Sequence, residues 1–172
     1  MLRRDKRVQG SVSCRFLTIN LRLALKYLRI MRDLLKKAAY SLLWVWQLPQ
    51  NVAGIIVQKH YERKADKTGA EWFYFPRHGI PYLRTDSLAS GKAVALGEYV
   101  VVNWFASDDT VDHEFGHVRQ SRMLGPLYLP LIGLQSLCHA AVHYDLCGRK
   151  KYKPYTHFWT ERWADRLGGV RR

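Results

Sequence analysis

His113 and His117 stand four residues apart, with Glu114 directly after the first, in the run His113-Glu114-Phe115-Gly116-His117. On a helix this spacing turns both imidazoles to one face, where a single tetrahedral Zn²⁺ can accept a nitrogen from each. Glu114 lies beside the pair without displacing a ligand. It can take a proton from a water whose pKa the metal has lowered towards 7. Near the C-terminus, Glu161 and Asp165 are again four apart and share a face. Glu161 can complete the metal site as a carboxylate ligand, and Asp165 can accept the outer N–H of a ligating histidine and fix its tautomer. The competing reading pairs both acids with Arg162 and Arg166 on a solvated face. His157, one turn before Glu161, is the rival third ligand.

These residues need two helices to position them. The first is expected over residues 110–124, capped from within Ser107-Asp108-Asp109-Thr110 and stopped by Gly125-Pro126. The second is expected over 156–167, with Thr156 as N-cap and Gly168-Gly169 as terminator. Upstream, residues 71–75, 80–84 and 93–105 read as strands, the last broken at Gly97 by a bulge or a turn. Residues 124–142 are nearly uncharged and carry Pro126, Pro130 and Gly133, which suggests a buried or membrane-dipping helix beginning near Pro130. Cys138, His139, His143 and Cys147 fit core thiols and satisfied histidines better than a second metal site, because nine residues separate the cysteines. The fold class that follows is α+β: a small sheet whose edge lies over the motif helix, with a basic and apolar helical region before it.

The 172 residues suit one metal-binding domain, placed at 58–172, and at 48% hydrophobic a core needs no disulfides. Cys14, Cys138 and Cys147 are odd in number and form no CxxC pair, which argues against a disulfide scaffold. Of the 28 Lys and Arg behind the net charge of +14, eleven fall in residues 1–37, against Asp5 and Asp33. Such an arm seeks anionic lipid or nucleic acid. Within it, residues 21–37 place Leu21, Ala24, Leu25, Leu28, Met31 and Leu35 at helical spacing, with Arg22, Lys26, Arg29, Arg32 and Lys36 around them. Residues 1–20 lack periodicity and read as disordered. The uncharged segment 38–57 favours lipid as the partner. Gln47, Pro49, Gln50 and Asn51 in its middle argue for an interfacial or re-entrant segment, with Tyr40, Trp44 and Trp46 as interface anchors. No nucleic-acid motif accompanies the charge. A secretory signal is not expected, and Met31 reads as the natural initiator.

His113-Glu114-Phe115-Gly116-His117 followed by Thr160-Glu161-Arg162-Trp163-Ala164-Asp165 resembles the glutamate-liganded, thermolysin-like zinc metallopeptidases. The resemblance implies Glu161 as third ligand and Asp165 as its histidine support. It also implies an edge strand before the motif helix that binds substrate backbone, here Gly97–Asn103 with Gly97, Tyr99 and Val101. The chain departs from that pattern in its 44-residue interval from His117 to Glu161. Gln120 and Met123 stand where a metzincin would have glycine and histidine. Tyr152, Tyr155, His143 and His157 are alternative oxyanion donors. The stretches at 46–51, 95–103, 113–117, 120–133 and 160–165 together resemble a group of small, uncharacterised bacterial membrane-associated proteins. The expectation is a membrane-associated zinc hydrolase acting on peptide or protein; the alternative is a non-enzymatic membrane-binding protein with a structural zinc.

Overall fold

The computed structural model describes residues 6–65, 69–141 and 158–170, with side chains from Arg22 onward except residues 65 and 139–141. It divides into two compact units, Met1–Leu42 and Leu43–Arg172. Helix α1 spans Lys6–Trp46. The expected disorder of residues 1–20 is therefore corrected from Lys6 onward. No proline interrupts this stretch, and a helix once nucleated adds a hydrogen bond for each residue it fixes. From Arg22 to Leu42 every residue is exposed, with Leu25, Leu28, Met31 and Leu35 among them.

Residues 38–57 do not form one helix. The chain turns at Gln47, and α2 runs Leu48–Ala65 with Pro49 in its first turn, where the missing N–H removes no intrahelical bond. The polar residues of this elbow are buried by protein, all three at 0% exposure. Asn51 accepts from the Glu98 N–H at 2.8 Å and donates to the Trp44 carbonyl at 2.9 Å. Gln47 donates to Glu98 Oε1 at 2.8 Å, and Gln50 donates to Ser121 Oγ at 3.1 Å and the Gly125 carbonyl at 2.8 Å. Among the described residues, no helix is long and apolar enough to cross a membrane.

Four strands follow: β1 (Ala70–Tyr74), β2 (Pro81–Thr85), β3 (Ala93–Leu96) and β4 (Tyr99–Asn103). Their order is β1-β2-β4-β3; β4 runs parallel to β2, and the other two pairings are antiparallel. Gly97 is a turn. Its φ of +62° suits the first central residue of a two-residue hairpin, and Leu96 faces Tyr99 across it.

The sheet order corrects the expected substrate strand. β4 is interior, so Gly97, Tyr99 and Val101 do not line an edge. Val101 is buried between Leu83 and Val94. Asn51 covers Gly97, and Tyr99 lies against Gly54. The parallel β2–β4 pairing is a crossover that local patterning does not encode, although three successive valines are the mark of a strand buried on both faces. The true edge on this side is β3.

Helix α3 covers Asp108–Leu124. Ser107 Oγ caps it by accepting from the Thr110 N–H at 3.2 Å, and Asp108 and Asp109 in the first turn complement the helix dipole. Val111, Phe115 and Val118 of α3 share a core with Tyr82, Ala95, Val100 and Val102 of the sheet. Gly125 ends the helix at φ +52°. A 3₁₀ turn (Gly125–Leu127), a π-helical turn (Leu129–Gly133) and α4 (Leu134–Ala141) follow. Helix α5 runs Trp159–Gly168 behind an N-cap at Phe158 that makes no side-chain capping hydrogen bond. The proposed cap Thr156 lies outside the described residues, as do His143, Cys147, residues 149–153, Tyr155 and His157. The architecture is α+β, with one mixed sheet on helices.

Candidate metal site

Helices α3 and α5 meet backbone to backbone. A Cβ on Gly116 would lie 2.0 Å from the Ala164 carbonyl oxygen, and one on Gly168 would lie 2.1 Å from that of Asp112. Only glycine permits this approach, and the approach brings His113 and His117 opposite Glu161 and Asp165.

His113 Nε2 is 3.1 Å from Glu161 Oε2, and His117 Nε2 is 3.4 Å from the same oxygen. One ligand atom from each of the three buried residues lies within 4.8 Å of the others, an arrangement that could hold a metal ion. The far side of each ligand is anchored. His113 Nδ1 meets Asp165 Oδ1 at 2.6 Å, and His117 Nδ1 meets Gln120 Oε1 at 2.8 Å. With the Nδ1–H donated outward, each ring can offer the Nε2 lone pair to a metal once the proton that Nε2 shares with Glu161 is displaced. Ser136 donates to Glu161 Oε1 at 2.8 Å and Thr160 does so at 3.3 Å, which leaves Oε2 facing the two histidines. Gln120 also donates to the Thr160 carbonyl at 2.8 Å, tying α3 to α5.

The structure thus brings together His113, His117, Glu161 and Asp165 as the spacing suggested. It adds Gln120, Ser136 and Thr160, which the sequence did not single out. Gln120 carried a signal, since it stands three residues after His117 on the same helical face. Ser136 carried none, because nothing local announces that α4 packs on α5. At the other end of the motif helix, Asp112 holds His78 Nε2 at 2.6 Å and Arg77 Nη1 at 3.0 Å, and the His78 ring stacks on Phe115 at 4.2 Å. These contacts pin the turn after β1 to α3.

Burial alone would lower the pKa of His113. The hydrogen bond to Glu161, the Glu114 charge and the bond to Asp165 override it and raise the value from 6.5 to about 9. His117 moves the same way against its own burial, chiefly through Glu161 and Glu114. For Glu161, burial works upward, but the bonds from His113, His117 and Ser136 hold the carboxyl well below its usual range. Burial pushes Glu114 up, and the two nearby histidines moderate the effect. No hydrogen-bond donor reaches the Glu114 carboxylate among the described residues.

A pH dependence follows. Metal-free, protonated His113 stabilises the fold fully below its unfolded pKa near 6.5, and this is lost as pH rises through about 9. A metal must displace that proton, so its affinity moves oppositely, by up to about tenfold per pH unit between 6.5 and 9 from His113 alone, with His117 adding to the slope. Denaturant unfolding of the metal-free chain at pH 6 and 9.5, beside metal titrations at the same values, should give trends of opposite sign. Parallel trends would show that His113 is not the group being displaced.

The anchors predict a second result. Gln120→Leu frees the His117 ring and removes the bond to Thr160, so metal affinity should fall about 10–100-fold with helix content unchanged. A competition titration against a chelator measures this, and an unchanged affinity would remove Gln120 from the site.

Comparisons with protein-family models, with curated proteins and with solved structures found no match to the chain, so the reading of the site rests on its own geometry.

Proposed function

We propose that the chain is a membrane-associated zinc metallopeptidase that binds its metal through His113, His117 and Glu161. The observation that carries this is the convergence of three buried ligand atoms within 4.8 Å, each ligand held by a polar partner on its far side. Two imidazoles and one carboxylate are the donor set of catalytic zinc, which keeps a fourth position for water or substrate. Zinc held there supplies Lewis acidity towards a scissile carbonyl and a water.

Glu114 takes the proton from the attacking water and returns it to the departing amine. Its burial suits that role, since a carboxyl pushed above its usual range can hold a proton between two steps. Substrate backbone has a place to pair. Leu96 and Tyr99 close a two-residue hairpin, so the alternation of the ladder turns the N–H and C=O groups of Ala93 and Ala95 away from β4. Among the described residues no strand pairs with that edge; the Tyr128 hydroxyl donates to the Ala95 carbonyl at 3.5 Å, so an extended peptide would add at the Ala93 end. Membrane association is supported by α1, whose exposed leucines alternate with Arg22, Lys26, Arg29, Arg32 and Lys36.

Elemental analysis of the purified chain tests the metal reading. About one zinc per chain is expected, lost in both His113→Ala and Glu161→Ala. A chain that takes up no zinc on reconstitution would overturn it.

A further inference from the structure

The segment after α3 presents its apolar residues outward. Tyr128 and Ile132 are buried, and Ser136 turns inward to hold Glu161. The opposite stripe is Leu127, Leu131, Leu134 and Leu137, exposed at 58%, 43%, 57% and 67%. An element on the surface of a water-soluble domain ordinarily faces solvent with polar residues, whereas this one is apolar on its outer face as well. Charge identifies the occupant. Between Arg122 and Asp145 the sequence has no Asp, Glu, Lys or Arg, and it turns basic soon after, at Arg149, Lys150, Lys151 and Lys153. A protein interface would be rimmed with polar and charged groups. An uninterrupted uncharged run with a cationic flank matches hydrocarbon beneath anionic headgroups.

We propose that the Leu127–Leu131–Leu134–Leu137 face inserts into the outer acyl region of an anionic bilayer. The face ends on α4, whose inner side carries Ser136 hydrogen-bonded to Glu161, so docking sets the proposed catalytic centre at the bilayer surface. Its substrate class, given the peptidase reading above, is then an extended segment of a protein lying on or emerging from that surface. The insertion is that of an interfacial element rather than of a spanning helix.

The full-length, zinc-loaded chain with Cys14→Ser and Cys147→Ser keeps Cys138, exposed on α4, as its sole thiol. An environment-sensitive fluorophore on Cys138 is read on vesicles of phosphatidylcholine with phosphatidylglycerol. The emission should shift to the blue and be quenched more by a spin label on the acyl chain than by one on the headgroup. Leu134→Ser with Leu137→Ser should weaken vesicle binding at least tenfold while zinc stoichiometry stays unchanged. A fluorophore that remains in water although the chain sediments with vesicles would overturn the proposal and assign lipid binding to α1 alone. A blue shift without vesicles, with the mass doubled in light scattering, would overturn it in favour of a second copy of the chain. Zinc content measured on the same samples separates failure of docking from failure of the metal site. A peptide cleaved in solution but no faster when tethered to a lipid anchor would remove the substrate assignment and leave the peptidase.

Discussion

Glu114→Gln should keep its zinc and lose turnover by about 10²–10⁴-fold, the range that a positioned general base supplies. The amide is nearly isosteric with the carboxylate, so the neighbouring histidines and Glu161 should hold their positions. What disappears is the capacity to accept a proton. The side chain is buried and free of hydrogen bonds among the described residues, so no structural bond is lost with the charge. Removing the charge also removes one of the causes that raise the pKa of His113 and His117. The variant should therefore bind zinc at least as well as the parent at pH 7. Equal zinc content with collapsed peptidase turnover is the expected pair of results. Unchanged turnover would place the chemistry elsewhere, and lost zinc would make Glu114 a supporter of the site rather than its base.

Gly116→Ala should be strongly damaging although the change is conservative. Two effects of opposite sign compete. Alanine is the better helix former by about 1 kcal/mol in a helix interior. Against this, the new methyl would lie 2.0 Å from the Ala164 carbonyl oxygen and 2.6 Å from its carbon, atoms of the α5 backbone rather than the tip of a flexible side chain. Relief requires α5 to move off α3, and overpacking of this kind costs about 1–3 kcal/mol or more. The clash wins, and its secondary effect is the larger one. Moving α5 carries Glu161 and Asp165 away from the two histidines, so metal affinity should fall well beyond what stability alone accounts for. Urea midpoints with and without zinc measure both. A variant as stable as the parent, with zinc retained, would mean that the helices do not touch at this point.

The candidate site was legible because helical spacing is local. His113 with His117, and Glu161 with Asp165, declare their shared faces within four residues, and the glycines after each helix mark its end. What the sequence did not disclose depends on contacts between distant elements. The edge strand was misplaced because the β2–β4 pairing is non-local, although the run Val100–Val102 already lacked the alternation of a half-exposed strand. Ser136 was invisible for the same reason. Gln47, Pro49, Gln50 and Asn51 were read as arguing against a spanning helix and for an interfacial segment; the structure buries the three amides in protein, and their partners at Glu98, Ser121 and Gly125 could not be inferred from so far away. The start of α1 was misjudged because weak local periodicity says little once a long helix propagates into it.

The amide elbow between α1 and α2 also bears on the order in which the molecule assembles. Its bonds reach from residues 47–51 to residues 98, 121 and 125. During synthesis from the N-terminus, the elbow therefore leaves the ribosome long before Glu98, Ser121 and Gly125 exist. It can close only after the β3–β4 hairpin and the whole of α3 have been made, so the segment produced early is fastened late. Until then the three amides have only the local carbonyls of Leu43 and Trp44 and their surroundings as partners, and the amphipathic helix before them has water or lipid. A bilayer that captures this helix while the rest of the chain is still emerging would give the later elements a fixed end on which to fold.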